Sequence, residues 1–595
     1  MRNLITAAAI FGVALAAPGC REQYIFDNIT ASVDLKWYPC YQRFQCTRLS
    51  VPLNPLEPDN GLRSEIPIIK LPAKLGGGVK YKGIVLTNPG GPGEIGTSFV
   101  LNAGGEIANA TGPGWDIIGF DPRGMGYSVP NGAVGFFDIP FNPNRLNATY
   151  IPQATKLAKR RGIRPDHYGL QIPPRPDSWV ESIYAAGQGL NELIQLHGNA
   201  DNQAVPYMST PNVAFDMLQI AKADARSRRL PEDSVLVNYY GVSYGTALGQ
   251  TFASMYPQHV GRFVCDSVVD AQGYYSGNGL VKSMLNHSDE GLSTFFTSCF
   301  DAGPEKCSFF TGRTSHAIRD RFNSLMAQFD APKAIAENWE NVTIVSLGQE
   351  TIKSALLVSP YSAQTFFRPL SDTLAGIESL LKAGNLTVEN LTEILLSWSP
   401  ADDPDAPARP EYVFETICSD LNNPELVGTE KPLNPALIKE LRQQSLVLGE
   451  RLIQLAGVCA YVKVQPKWRF NGTIGGATKT PMLFVGLLKD PITPFENAEY
   501  ARRQFKGAKM LYVDAVGHGI LSQQNWCAYD KVRAYFQNLT LPGHDNRCPQ
   551  AEDGPFSYDP SGGNGEGQVK RSVEVSRRGV PQLPHLPLQR FGISF

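Results

Sequence analysis

Short apolar runs alternate with amphipathic stretches along two parts of the chain. The first part contains GIVLTN (83–88), WDIIGFD (115–121), SVLVNYY (234–240) and RFVCDS (262–267), and the second contains MLFVGLL (482–488) and KMLYVD (509–514). Apolar positions at helical spacing fall between the runs, at 212–225 and 247–255. Apolar strands that alternate with helices are typical of a parallel sheet covered on both faces. The pattern therefore predicts an α/β fold.

The alternation stops near residue 270 and resumes near residue 480. The intervening stretch has helical patterns at 316–329, 367–382 and 434–455, and a loop rich in Pro and Asp at 399–410. We interpret it as a mainly helical cap, residues 271–475, inserted between two parts of one mostly parallel sheet, 18–270 and 476–549. A separate domain of unrelated role is the alternative. Residues 550–595 are rich in Gly, Pro, Ser and charge, which predicts a flexible tail.

The N-terminus has the features of a secretory signal peptide. Arg2 is followed by an apolar run at 4–15 and by Ala14-Leu15-Ala16, a small-residue cleavage site, so residues 1–17 are predicted to be removed. A buried N-terminal helix is the alternative. The sequence after residue 17 contains no run of about 18 apolar residues, so it predicts no membrane span. The formal net charge of -2 gives no reason to expect nucleic acid or an anionic membrane as a partner.

Glycosylation and cysteine patterns also predict a secreted protein. Nine N-x-S/T sequons indicate a glycoprotein that passes through the secretory pathway. They are Asn28, Asn109, Asn147, Asn286, Asn341, Asn385, Asn390, Asn471 and Asn538.

Eight of the ten cysteines form pairs that are plausible in an oxidising compartment. The expected disulfides are Cys40–Cys46, Cys299–Cys307, Cys418–Cys459 and Cys527–Cys548. Cys265 lies in an apolar run and is expected to be a buried free thiol, and Cys20 has no obvious partner. Because neither CxxC nor HExxH occurs, we predict no metal site.

The candidate nucleophile is Ser243. It lies in Gly241-Val242-Ser243-Tyr244-Gly245, directly after the run SVLVNYY and before a helical stretch. A serine on a sharp turn between strand and helix needs small neighbours, and this context distinguishes a G-x-S-x-G nucleophile elbow from a chance match. A glycine-rich turn without catalytic role is the alternative.

A serine hydroxyl needs a base to take its proton, and in this fold the chain order is Ser, then Asp or Glu, then His. His518 is the predicted base, because it lies between two glycines just after the run KMLYVD. Asp490, in the loop that follows MLFVGLL, is the predicted acid. Asp514, at the end of the next run, is the second choice.

The segment NPGGPG (88–93) follows the first strand and predicts an oxyanion loop. Backbone N–H groups in a glycine turn there can face a tetrahedral oxyanion. We assign one donor to Gly91 and the other to Tyr244, the residue after the nucleophile. No Gly-Lys-Ser/Thr follows, which argues against a phosphate loop.

Taken together, NPGGPG, GFDPRGMGYS (119–128), GVSYGT, KDPITP (489–494) and GHG (517–519) resemble the secreted tripeptidyl-aminopeptidase branch of the α/β hydrolases, which is related to the proline iminopeptidases. The resemblance extends over roughly residues 35 to 557 and includes Trp37, the segment ICSD (417–420) and the C-terminal cysteines. It implies a serine peptidase that removes short peptides or single residues from free N-termini, without a cofactor.

Exopeptidase action requires a carboxylate for the substrate ammonium, and we expect it from the cap or its borders: Glu415, Asp420 or Asp270. The sequence differs from the family pattern at two places that bear on which substrate is accepted. Glu94 replaces a usual glycine beside the oxyanion loop, and the Cys-x-x-Trp pattern reads Cys459-Ala460-Tyr461-Val462.

The sequence thus predicts a secreted enzyme that acts on peptides through an acyl-enzyme on Ser243. One alternative is an esterase or other non-peptidase hydrolase with the same triad. The other is a catalytically silent extracellular binding protein. The pattern gives no indication of oligomeric state.

Overall fold

A computed structural model describes residues 25–133, 168–175, 177–197, 203–277, 284–329, 339–398, 409–551 and 554–556. The predicted signal peptide, Cys20, the sequon at Asn147 and most of the predicted tail lie outside the described residues.

The described strands form one ten-stranded sheet in the order β1-β2-β3-β5-β4-β6-β7-β8-β9-β10. Pairing is antiparallel from β1 to β3 and between β3 and β5, and parallel from β5 to β10. The strands are β1 Tyr38–Cys40, β2 Phe44–Pro52, β3 Arg63–Leu71, β4 Gly83–Asn88, β5 Trp115–Phe120, β6 Val237–Ser243, β7 Val260–Val268, β8 Leu483–Lys489, β9 Lys509–Val516 and β10 Arg547–Cys548.

Helices cover the sheet and build the cap. They are α1 Gly96–Thr111, α2 Asp177–His197, α3 Thr210–Ser227, α4 Tyr244–Met255, α5 Ala271–Ser276, α6 Ser288–Ala302, α7 Ser315–Met326, α8 Trp339–Val358, α9 Ala363–Lys382, α10 Val388–Trp398, α11 Glu411–Asp420, α12 Pro435–Gln444, α13 Leu448–Tyr461, α14 Phe495–Gln504 and α15 Trp526–Asn538. Short 3₁₀ turns include Ser359–Tyr361 and Ile520–Ser522. None of the helices in the described ranges is long and apolar enough to cross a membrane.

The predicted fold class, α/β with a mostly parallel sheet and a mainly helical cap, is confirmed. All six predicted strands are present, and the sheet is interrupted between β7 and β8, where the cap was expected. The antiparallel strands β1 to β3 were not predicted. Charged and polar residues such as Arg48 and Lys70 interrupt their apolar pattern, so the runs do not stand out in the sequence.

The cap also contains a helix from the first part of the chain. Helix α2 lies within 18–270, which we assigned to the core, yet it packs on α13 of the cap. A Cβ at Gly187 would lie 2.7 Å from the Val458 carbonyl oxygen, and the rings of Tyr184 and Tyr461 are 5.4 Å apart. The cap is therefore built from two insertions, one on each side of the nucleophile strand.

The single helix predicted at 434–455 is two helices, α12 and α13. Ser445 interrupts it with an extended backbone, φ -156° and ψ 130°. Its Oγ accepts the N–H of Leu448 at 3.2 Å and donates to Asp289 at 2.6 Å. A serine whose hydroxyl binds the first N–H of the second helix thus breaks an apolar periodicity that continues across the break.

The structure contains the four expected disulfides, and Cys265 is a buried free thiol. Of the sequons, Asn28, Asn109, Asn286, Asn385, Asn471 and Asn538 are exposed. Asn341 lies in α8, and its side chain is outside the described residues.

Asn390 differs from the exposed sequons. Its amide oxygen accepts a hydrogen bond from the Thr387 hydroxyl at 2.8 Å, and the residue is only 9% exposed. A glycan has less room here than at the exposed sequons, and glycosylation of Asn390 stays a prediction.

Candidate active site

Ser243 lies at the sharp turn between β6 and α4. Its backbone has φ 58° and ψ -128°, a strained conformation for a residue other than glycine. A Cβ at Gly241 would lie 2.6 Å from the Gly245 carbonyl oxygen, and a Cβ at Gly245 would lie 2.6 Å from that of Asn88. Both glycines are therefore required by close backbone approach, as in a nucleophile elbow.

The NPGGPG loop passes directly over this turn. Gly90 has φ 119°, and a Cβ there would lie 2.6 Å from the Ser243 Cβ and 2.9 Å from the Val242 carbonyl oxygen. The next residue, Gly91, and the first residue of α4, Tyr244, are the two assigned oxyanion donors. The helix N-terminus adds a partial positive charge at the Tyr244 amide. The loop backbone at Gly90 is thus packed directly against the serine.

His518 and Asp490 are in contact. The Nδ1 atom of His518 lies 3.0 and 3.1 Å from the two carboxylate oxygens of Asp490, and both residues are buried. Asp490 is itself fixed, because it accepts the N–H groups of Ile492 and Thr493. The Nε2 atom of His518 is buried and has no hydrogen-bond partner among the described residues, so it is available to accept a proton.

Asp514, the second choice for the acid, is exposed. Its carboxylate lies 3.8 Å from Arg547 in an ion pair near the edge of the sheet, and 52% of its side chain is accessible. The contact with the imidazole is thus made by Asp490, and Asp514 takes no part in it.

A turn of the cap packs against His518, a contact that sequence reasoning missed. The ring of Tyr361 lies 5.1 Å from the His518 ring in an edge-on arrangement. Ser362 pairs with Gly517 as an isolated antiparallel bridge, and its Oγ donates to the Ser522 carbonyl at 3.0 Å. No motif marks this turn, which lies more than 100 residues from either neighbouring catalytic segment, so the sequence contained no signal for it.

Glu415 is the candidate carboxylate that retains an unpartnered oxygen. It is fully buried on α11, and its Oε1 accepts the N–H of Ala133 at 2.8 Å, whereas Oε2 has no hydrogen-bond partner among the described residues. Burial raises its pKa well above the usual value. The first turn of α11 touches the oxyanion loop, because a Cβ at Gly93 would lie 3.0 Å from the Val413 nitrogen.

The other two carboxylates are already engaged. Asp420 accepts the Thr210 N–H, the Thr210 hydroxyl and the Tyr274 hydroxyl at 2.8, 2.5 and 2.9 Å, and Thr210 also contacts the Tyr244 hydroxyl. Burial raises the pKa of Asp420 to about 6. Asp270 caps α5 by accepting the Gly273 N–H. Asp420 thus has both oxygens engaged, and Asp270 is a half-buried cap of its own helix, so the fully buried Glu415, with one oxygen unpartnered, is kept as the candidate ammonium acceptor.

Glu94, the departure from the family pattern, is 5% exposed and packs beside the oxyanion loop, because a Cβ at Gly91 would lie 3.4 Å from its Cγ. Burial raises the pKa of the Tyr361 phenol, and the charges of Asp490 and Glu94 raise it further. Among the described residues, no group of three His, Cys, Asp or Glu side chains is arranged to hold a metal ion.

Comparison with known proteins relates the chain to characterised peptidases. The family model for TAP-like proteins matches residues 445–548, which include Asp490 and His518. The chain is 25% identical to the tripeptidyl aminopeptidase of Streptomyces lividans over 526 residues, 86% of this chain and 85% of that protein. This chain is a serine hydrolase related to the tripeptidyl aminopeptidases.

A second relative of the hydrolase is serine protease Hip1 of Mycobacterium tuberculosis, at 27% identity over 288 residues, 45% of this chain and 47% of that protein. Among solved structures, a serine hydrolase from Cycloclasticus zankles is 9% identical to this chain, with a TM-score of 0.31. The match covers 83% of this chain and 99% of that protein. That likeness is too weak to add to the assignment. Because the hydrolase is an enzyme, the catalytically silent alternative is dropped.

Proposed function

We propose that this serine hydrolase is a secreted aminopeptidase that releases short peptides or single residues from free N-termini. Ser243 attacks the scissile carbonyl, His518 takes the hydroxyl proton at Nε2 and returns it to the leaving amine, and Asp490 orients the imidazole through Nδ1. Water then hydrolyses the acyl-enzyme by the same proton route. The N–H groups of Gly91 and Tyr244 stabilise the oxyanion.

The observation that carries the catalytic part is the His518–Asp490 contact at 3.0 Å combined with an unpartnered His518 Nε2. The acid fixes the tautomer in which Nε2 accepts a proton. The strained backbone of Ser243, pressed against the oxyanion loop, supports its role as the nucleophile.

The unpartnered oxygen of Glu415 supports the proposed preference for a free N-terminus. A substrate ammonium beside Oε2 would supply the missing hydrogen bond and would lower the raised pKa of this carboxyl, so the pair would be charged only when the substrate is bound. Secretion is supported by the four disulfides and by the leader-like sequence.

The test compares kcat/KM for one short peptide with a free and with an acetylated N-terminus. The free peptide gains a hydrogen bond to a charged group that the acetylated peptide lacks, worth about 1.5–3 kcal/mol, which predicts a preference for the free peptide of about ten- to a hundredfold. Glu415→Gln should shrink this preference to less than about tenfold, whereas the matched Asp270→Asn should keep it. Equal rates for both peptides in the wild-type enzyme would contradict the aminopeptidase proposal.

A simple aryl ester serves as the comparison substrate. Since an ester has no ammonium, Glu415→Gln should leave ester hydrolysis nearly unchanged, and a wild-type enzyme that cleaves esters but no peptide would favour the esterase alternative.

A further inference from the structure

The backbone of the His518 loop is held from two sides. Each of three consecutive N–H groups donates to a different residue outside the loop. The bonds are His518 to the Tyr361 carbonyl at 2.8 Å, Gly519 to the Ser267 hydroxyl at 2.6 Å and Ile520 to the Asp266 carboxylate at 2.9 Å. Tyr361 belongs to the cap, while Ser267 and Asp266 belong to β7. The loop is therefore positioned by groups from separate layers of the molecule.

Of these acceptors only Asp266 can carry a charge. Its Oδ2 also accepts the Tyr240 hydroxyl at 2.7 Å, and its Oδ1 is buried without a hydrogen-bond partner among the described residues. A carboxylate that uses one oxygen for two bonds and leaves the other bare is costly to bury. A structural anchor alone does not need that charge, because a neutral acceptor holds a backbone N–H equally well, as Ser267 does for Gly519.

We propose that Asp266 is a positioning residue for the reaction, which fixes the backbone behind His518 and places a negative charge against the loop that carries the base. The charge stabilises the imidazolium that forms when Ser243 is deprotonated. Asp490 makes the direct contact with the imidazole, so Asp266 acts through the loop and the local field. This inference rests on the proposed role of His518 as the base.

The electrostatic surroundings are consistent with this role. Burial raises the pKa of Asp266 to about 6, opposed by the Tyr240 and Ile520 hydrogen bonds and by the charge of His518, while the charge of Asp490 raises it further. The titratable groups that face Asp266 come from β6, β7, α15 and the two catalytic loops. They are Tyr240, Cys265, Tyr529, Asp490 and His518.

The decisive variant is Asp266→Asn, which keeps size and an acceptor oxygen but removes the charge. Removal of a nearby negative charge disfavours the protonated form of a catalytic base. The midpoint of the acidic limb of kcat/KM should therefore move down by about half to one pH unit. The plateau kcat should fall by no more than about tenfold, because the Ile520 bond is retained.

Two controls separate charge from anchoring. Ser267→Ala removes the Gly519 anchor without a charge change and should lower kcat without moving the midpoint. Asp121→Asn removes another fully buried carboxylate with a pKa of about 6, which accepts the N–H groups of Thr97 and Tyr127 away from His518, and should not move the midpoint either. An unmoved midpoint in Asp266→Asn, or an equal shift in either control, would overturn the proposal.

If Asp266→Asn does not fold, Tyr240→Phe makes the same test. The loss of one hydrogen bond to the charged carboxylate favours its neutral form, so the midpoint should move in the same direction by a smaller amount, and no movement would contradict the proposal. His518→Ala keeps the two hypotheses distinct. If that variant stays active, the proposed mechanism fails, whereas an inactive His518→Ala with an unmoved Asp266→Asn midpoint overturns only the role of Asp266.

Discussion

The two sides of the active site are held by different forces. On the nucleophile side, Ser243 and the oxyanion loop are fixed by steric contact, with Gly90 pressed onto the serine and both elements rising from adjacent strands. On the base side, His518 sits on a loop that is held by hydrogen bonds from β7, from the Asp490 loop and from the cap turn.

This difference determines how substitutions on each side should affect activity. Steric packing tolerates no added atom, so substitutions on the nucleophile side should act through geometry and be severe. A hydrogen-bonded loop loses one anchor at a time, so substitutions behind His518 should be graded, and those that change charge should alter the pH dependence.

The largest effect is expected for Ser243→Ala. Removal of the nucleophile should lower kcat by about 10⁶, and labelling by a fluorophosphonate should disappear. The small side chain should leave folding intact, which a thermal melt checks. Near-normal turnover in the purified variant would remove Ser243 from the mechanism.

On the base side, His518→Ala should be about as damaging as loss of the serine, whereas Asp490→Asn should cost roughly 10⁴ in kcat because the imidazole loses its orienting partner. The matched control is Asp514→Asn. It removes an exposed carboxylate on β9, the strand next to the one that leads to Asp490, and should keep nearly full kcat. If Asp514→Asn proves the crippling change, the assignment of the acid is wrong.

Gly90→Ala tests the steric contact between the oxyanion loop and Ser243. The added Cβ would lie 2.6 Å from that of Ser243, in a backbone with φ 119° that alanine does not favour, so the oxyanion loop must shift. A displacement of this kind should lower kcat by about 10². Gly105→Ala is the control, because nothing lies within 4 Å of its Cβ position in α1, and activity there should be unchanged. Full activity in Gly90→Ala would mean that the loop does not need its contact with the serine.

The same contrast explains what could be predicted from the sequence. The elbow, the oxyanion loop and the strands beneath them are encoded in short segments, because each glycine is required by neighbours close in the chain or in the adjacent strand. The choice of Asp490 and His518 also followed from motif order. These segments define the fold class and the candidate triad.

The supports behind His518 could not be predicted in this way. Asp266 lies in the apolar run RFVCDS, where it gives no sign of accepting a bond from Ile520, more than 250 residues away. Tyr361 and Ser362 lie in a cap turn without a motif. Likewise, Asp420 and Glu415 occur in one helix with similar chemistry, and only their three-dimensional surroundings distinguish an engaged carboxylate from one with an unpartnered oxygen.

The smallest effect is expected at the cap turn, through Ser362→Ala. Its hydroxyl donates to the Ser522 carbonyl at 3.0 Å, and its backbone pairs with Gly517, so the side chain is one of several contacts between cap and His518 loop. Loss of one neutral hydrogen bond should lower the free energy of unfolding by about 1 kcal/mol. Because the loop keeps its two anchors on β7, kcat should fall by only about two- to fivefold. The control is Ser371→Ala, which removes a buried bond to the Arg368 carbonyl within α9 and should have a similar effect on stability without an effect on kcat. Chemical denaturation and steady-state kinetics on both variants separate the two effects. A fall in kcat of equal size in both would mean that the cap turn stabilises the fold without positioning His518.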